Sequence, residues 1–225
     1  MYQSINVSDS VKKIVPEIKA LGKRIKLTKK ELKAGRDWSE SWNKLHQTWK
    51  GKTKQEVASH PRITPYIDFY KKIGLNPKKN PPSVQNLIQR FLIREPLKKL
   101  PAIHPLVDAI NVAVVESLIP LGIFDAETIE GDLILTITKG GEPFEPLGAG
   151  KEIELSPGVL VLRDEKKVLS QYGVRDSNAT KVNPETESVW ILTLLVPGIE
   201  EEAVKQALDQ ALELIQREYD MSEIP

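Results

Sequence analysis

The sequence predicts an α+β fold in which N-terminal helices precede a central, mainly antiparallel or mixed sheet, and a C-terminal amphipathic helix packs on that sheet. Three observations carry this reading. Apolar residues recur at helical spacing between positions 37 and 118, short runs rich in Val, Ile, Leu and Thr occupy positions 132–196, and one long amphipathic stretch follows Pro197-Gly198. No internal repeat or low-complexity segment interrupts that order.

Residues 1–35 mix a strand-like piece at 2–8 with lysine-rich segments around Pro16, and no period dominates. From Asp37 the pattern sharpens, because Trp38, Trp42, Leu45 and Trp49 follow at steps of four, three and four, one stripe of a helix. Base stacking and core packing both use such stripes, and helical spacing favours the core. A second helix is expected over 63–73. A third begins after Pro81-Pro82 with Ser83 as its N-cap, buries Val84, Leu87, Ile88 and Phe91, and ends at Pro96. A fourth, over 105–118, carries Asp108 and Asn111 and stops before Pro120.

Strands are expected at 132–139, 158–164 and 187–196, separated by the turn residues Gly140-Gly141 and Ser156-Pro157-Gly158. The last helix, over 199–219, has Ala203, Val204, Ala207, Leu208, Ala211, Leu214 and Ile215 on one face and Glu200, Glu201 and Glu202 in its first turn, where the helix dipole favours them. By this reading residues 1–60 form a partly helical extension packed on a core domain of residues 61–225.

With 225 residues, 40% apolar and 28% charged, the chain has the composition of an ordinary globular protein with one core. No apolar run approaches the roughly 20 residues needed to span a bilayer, and residues 1–10 lack the basic-then-apolar pattern of a leader, so a cytoplasmic protein without membrane contact is expected. The absence of cysteine excludes disulfides, thiol nucleophiles and thiolate metal sites. His46, His60 and His104 are too scattered to pair on one helical turn, so no metal and no cofactor is expected.

The formal net charge of +1 hides an asymmetry. Residues 1–100 hold 23 Lys and Arg against 8 Asp and Glu, whereas residues 101–225 hold 9 against 23. Such halves either attract one another or leave a basic surface for a polyanion such as RNA.

Polar groups set among apolar ones mark the candidate site. The segment LPAIHPLVDAIN at 100–111 places His104, Asp108 and Asn111 in an apolar run that enters a helix through Pro105, and burying such groups requires definite partners. His104 there is either a base or a capping residue, and Asp108 either a helix-stabilising or a pocket residue. Glu142, after the Gly140-Gly141 turn, either reaches a pocket or stays an exposed turn carboxylate. Four segments acquire meaning together: NPPSVQNLIQR at 80–90, LPAIHPLVDAIN at 100–111, the group PLGIFD, IEGDLIL and GGEPF within 120–144, and YGVRDSNATKVNPETESV at 172–189.

In order and spacing these segments resemble the tRNA-binding and editing (B3/B4) domain of the phenylalanyl-tRNA synthetase beta subunit, and more closely its freestanding relatives, over roughly residues 61–196. The resemblance implies a hydrolase acting in trans on the aminoacyl 3′ end of mischarged tRNA, with tRNA and an aminoacyl-tRNA synthetase as partners. A binding module without catalysis is the alternative. With no phosphate-cradling Gly-rich loop and no room for a synthetase core, the chain is not expected to charge tRNA itself.

Residue by residue, Asn111 matches a pocket asparagine and Asp108 the acidic residue one turn before it. Gly122 and Leu192 stand where the synthetase domain has a histidine and a glutamate, and Gly173 matches a pocket glycine. Arg175 and Asp176 replace part of a Gly-rich turn. The arginine could hold an oxyanion or phosphate and the aspartate an α-amino group, or the two pair structurally while Ser177 caps a bend. The candidate catalytic residues are therefore Asn111, Arg175 and Asp176. The candidate substrate contacts are Asp108, Gly122, Glu142, Gly173, Ser177 and Thr180, and the candidate tRNA contacts are Arg90, Arg94, Lys98 and Lys99.

Overall fold

The longest described strand comes from a lysine-rich stretch. The computed structural model describes residues 2–29, 37–97 and 102–224. The chain opens with β1 (Gln3–Val7), α1 (Asp9–Ile14) and the eleven-residue β2 (Lys19–Lys29). Alternation along β2 places Ala20 and Gly22 on one face and Lys23 on the other. From there the Lys23 ammonium reaches Asp209 at 2.8 Å, and Lys19 likewise meets Glu201 at 2.8 Å. The two oppositely charged halves of the sequence thus attract one another in part, across a strand and the C-terminal helix.

Helices follow: α2 (Ser39–Trp49), α3 (Lys54–Ala58), α4 (Thr64–Lys72) and α5 (Ser83–Leu87), the last continuing as a wider π-type turn over Ile88–Leu92. Trp38, Trp42, Leu45 and Trp49 are all buried, so the tryptophan stripe is core. α3 starts with a capping box in which Thr53 accepts from the Glu56 amide and Glu56 accepts from that of Thr53. Ser83 is not an N-cap. Pro82 occupies that place without a side-chain bond, and Ser83 is the first helical residue. α6 (Pro105–Ser117) is entered through His104, whose Nδ1 accepts from the Leu106 amide at 3.3 Å, and ends at Leu118 with φ of 61°.

The remaining elements are β3 (Gly122–Asp125), β4 (Ile134–Ile137), β5 (Glu142–Phe144), β6 (Ile153–Leu155), β7 (Leu160–Arg163), β8 (Val168–Gln171), β9 (Arg175–Asp176), β10 (Ser188–Leu195), α7 (Glu201–Ile215) and β11 (Tyr219–Glu223). The fold is α+β, as predicted. Nine strands form one mixed sheet in the order β3-β10-β2-β1-β4-β7-β8-β9, with β11 added beside β1 on the same edge of β2. Among the described strands only the β1–β4 pair is parallel. β1 and β2 therefore belong to the sheet itself, and the strand-like piece at 2–8 contains its central β1. The final helix stops at Ile215 rather than 219, because the chain turns back there and residues 219–223 pair with β2.

All eight residues of β10 are buried. α7 covers one face of that strand and α6 packs against α7, while the other face looks into a cavity. A small satellite core of Phe144, Leu155, Val161 and Val168 lies under the β5–β6 hairpin. It leaves Leu162, of opposite parity on β7, for the cavity face.

Candidate functional site

Strand register builds the cavity. Gly122 on β3 pairs with Leu192 on β10, which pairs with Gly22 on β2. Across the other half of the sheet, Leu135 pairs with Leu162, Leu162 with Ser170, and Ser170 with Asp176. Cross-strand partners share a face, so each row presents its side chains to the same space. Gly122 and Asp176 come from strands at opposite edges of the path, yet both line one cavity of about 250 Å³. A flat sheet would hold those edges roughly 34 Å apart at about 4.8 Å per strand, so the sheet curls around the cavity.

Along the second row polarity changes from leucine to serine to carboxylate. Leu192, Leu194, Phe124 and Ile5 add apolar wall, while Ser83, Asn86, Arg175 and Asp176 add polar wall. α4 closes the cavity from above: Tyr66 donates to the Leu194 carbonyl at 3.2 Å, and Tyr70 lines the wall. Tyr70 and Tyr172 meet edge to face with centroids 6.0 Å apart, and Phe69 packs on Tyr172 at 5.8 Å. Burial pushes both tyrosine hydroxyls up, and the neighbouring Asp176 carboxylate adds to the rise, so both remain neutral phenols.

Asp176 lines the cavity and is open to solvent. Burial raises its carboxyl above the usual aspartate range, partly offset by hydrogen bonding from Ser170 and by the charge of Arg175. One guanidinium N–H of Arg175 is taken by the Leu147 carbonyl at 3.2 Å. The chain approaches this pair through Gly173, which has φ of +73°. A Cβ there would lie 2.8 Å from Tyr70 Cζ and 2.9 Å from Leu75 Cδ1. Gly173→Ala is expected to lower stability by about 2 kcal/mol, from left-handed backbone strain plus overpacking against Tyr70. A denaturant midpoint indistinguishable from that of the parent protein would contradict this.

The sheet thus brings together four of the expected site residues: Gly122, Gly173, Arg175 and Asp176. Others lie elsewhere. Asn111 and Asp108 are half-buried on α6, none of whose residues lines the cavity. Asp108 Oδ1 accepts from the Ile103 amide at 3.2 Å, closing the entry to α6. Glu142 is a turn carboxylate, accepting from the Lys139 and Gly140 amides at 2.7 and 2.8 Å; those bonds, led by that from Lys139, lower its carboxyl.

Ser177 caps the bend at Ala179 with a 3.1 Å bond, and Thr180 is fully buried with its hydroxyl unbonded. Arg90 lies over the Phe91 ring at 5.1 Å, and the Arg94 carbonyl bonds His46 at 2.8 Å. Lys98 and Lys99 lie outside the described residues. Sequence reasoning missed Tyr70, Ser170 and Tyr172 as wall residues. Tyr172 immediately precedes Gly173 and was the accessible signal, whereas Tyr70 and Ser170 join the site only through packing and strand register.

The architecture defines a class: an α+β domain whose curled sheet borders a ligand-sized chamber, with leucines and an Arg-Asp pair of neighbours on its wall. The B3/4 domain family profile matches residues 66–219, and the chain belongs to that family. It is 30% identical over 89 residues to the phenylalanine–tRNA ligase beta subunit of Legionella pneumophila (strain Lens), covering 40% of this chain and 11% of that one. It is 35% identical over 92 residues to that of Methylococcus capsulatus, covering 41% and 12%. The chain thus matches only about an eighth of the length of these relatives. A crystal structure of an N-terminal fragment of the phenylalanyl-tRNA synthetase beta subunit from Pyrococcus horikoshii is similar over 97% of this chain and 50% of that one, with a TM-score of 0.47 and 16% identity. Among the described residues no helix is long and apolar enough to cross a membrane, and no three His, Asp or Glu gather as a metal site.

Proposed function

We propose that this protein is a trans-acting aminoacyl-tRNA deacylase that hydrolyses the ester at the tRNA 3′ end. The observation that carries it is that Arg175 and Asp176, adjacent in the chain, both line a leucine-rich chamber, in a chain of the B3/4 family whose relatives are tRNA ligase subunits. An aminoacyl ester has the matching layout: an ammonium, an adjoining carbonyl and a side chain. Asp176 holds the ammonium, and Arg175, the neighbouring wall residue, has guanidinium N–H groups to offer the carbonyl oxygen.

Water adds to the carbonyl carbon, and the resulting oxyanion is stabilised by the guanidinium. The carbon–oxygen ester bond then breaks, and the ribose oxygen leaves with a proton derived from the attacking water. Free amino acid and uncharged tRNA result. Holding the already activated ester beside water in fixed geometry supplies much of the required acceleration. Incubation with a panel of mischarged tRNAs is expected to release amino acid faster than spontaneous hydrolysis; no release above that rate for any pairing refutes the enzyme.

A second reading, binding without turnover, is favoured by one observation: among the described residues Asp176 is the sole carboxylate on the cavity wall, and no histidine lines it. Stable binding of an aminoacyl-tRNA mimic without ester loss would select it. In either case the tRNA body meets the exposed lysines Lys71, Lys72, Lys78 and Lys79, in the segment joining the wall residues Tyr70 and Pro81. Changing Lys72, Lys78 and Lys79 to Glu together is expected to weaken tRNA binding about tenfold at low salt and to flatten its salt dependence. Filter binding across a salt series measures both, and an unchanged slope argues against this face.

A further inference from the structure

We propose that the chamber selects a large, wholly apolar aminoacyl side chain and discriminates against a hydroxylated one. This deepens the deacylase reading and rests on it for the position of the ammonium. From Asp176, Leu162 is two strands away and Leu135 three, roughly 10 and 14 Å along the sheet before curling is allowed for. An ammonium bound at Asp176 therefore directs the side chain toward the leucines. A small side chain leaves them uncovered, whereas a long apolar one removes their surface from water.

The far wall is held apolar by an unusual seat. Leu192 has glycine as its partner on both neighbouring strands, Gly22 and Gly122. A Cβ on Gly22 would lie 2.2 Å from Leu192 Cδ2, so the leucine side chain occupies the room that the missing methyl leaves. Two hydroxyls beside this strand are committed elsewhere: Thr193 donates to the Pro120 carbonyl at 2.8 Å and Tyr66 to the Leu194 carbonyl at 3.2 Å. A substrate hydroxyl carried onto Leu135, Leu162, Leu192, Leu194 or Phe124 finds no polar partner in those side chains. It loses its hydration without replacement, which disfavours binding.

Stable amide analogues, 3′-aminoacylamino-3′-deoxyadenosines carrying leucine, methionine, phenylalanine, tyrosine or serine, test this by calorimetry on the intact protein. Phenylalanine, leucine and methionine analogues are expected to bind about 10- to 100-fold more tightly than tyrosine, with serine weakest. Tyrosine or serine binding as tightly as phenylalanine overturns the proposal, as does failure of every analogue to bind. Leu192→Gln is expected to narrow the phenylalanine–tyrosine ratio about tenfold, and an unchanged ratio in a folded variant overturns the role of Leu192. Ester hydrolysis is followed separately. The predicted affinity order without hydrolysis refutes the deacylase and keeps the selectivity, whereas hydrolysis that favours tyrosine does the reverse.

Discussion

Asp176→Asn is expected to reduce kcat/KM for aminoacyl-ester hydrolysis about 10²- to 10³-fold while leaving the fold intact. The amide preserves the size of the side chain and its place opposite Ser170, and removes only the charge. A substrate ammonium drawn into the chamber would then lie in a partly desolvated recess without a counter-ion. An analogue lacking the α-amino group provides the contrast: its affinity should be nearly equal for the two proteins, because it has no charge to lose. Equal losses for both analogues would reduce Asp176 to a structural role.

The pH profile carries a second signature. The ionised carboxylate is the binding form, and burial raises its carboxyl above the usual aspartate range. Activity should therefore rise with pH through an ascending limb displaced above that range, and the asparagine variant should lack the limb. Stability responds in the opposite sense at this residue. A carboxyl raised by folding favours the native state when protonated, so the fold gains rather than loses from its protonation. Activity lost across the limb with an unchanged circular dichroism spectrum is then a property of the site.

Periodicity made the helical half of the fold readable. The stripe from Trp38 to Trp49, the run that became α4 and the Pro105 entry to α6 all depend on neighbours three or four residues apart. β2 was hidden because its lysines disguise a central strand as a surface segment; Lys23 is buried with its ammonium on Asp209 of α7 and over the Tyr2 ring. The site divides along the same line. Gly173, Arg175 and Asp176 are near one another in the chain and travel together, so one motif finds them. Leu162 and Ser170 join them through pairing register, which no local pattern encodes. Asn111 illustrates the converse. Its motif identifies the helix correctly, but α6 packs against α7 and β3, and the motif says nothing about which side of the sheet that helix covers.

A second aspartate, Asp164, should respond to pH with the opposite sign. It is fully buried at the end of β7, where Oδ1 accepts from the Lys166 and Lys167 amides at 2.8 and 2.7 Å. Oδ2 accepts from the Glu130 amide at 3.0 Å and the Lys167 ammonium at 2.8 Å. These four bonds tie the β7–β8 turn to the loop before β4, and so fix the hairpin that carries Leu162 and Ser170. Asp164→Ala leaves three amide donors and one ammonium without their acceptor, and is expected to cost about 3 to 4 kcal/mol. At this chain length that lowers Tm by about 10 °C.

Burial alone would raise the Asp164 carboxyl, but the Lys167 ammonium and the three amides outweigh it and hold it below the usual aspartate range. Its contribution is therefore complete above the unfolded-state value, near pH 3.9, and disappears as pH falls through the lower folded-state value. Denaturation curves from pH 2 to 7 should show a constant gap between parent and variant above about pH 4 that closes below it. A gap that persisted unchanged to pH 2 would show that the ionised carboxylate is not what holds the hairpin. The sign follows from the partners rather than from residue type: Asp164 faces donors already in the fold and is stabilised as an anion, whereas Asp176 faces a chamber whose cation must come from the substrate.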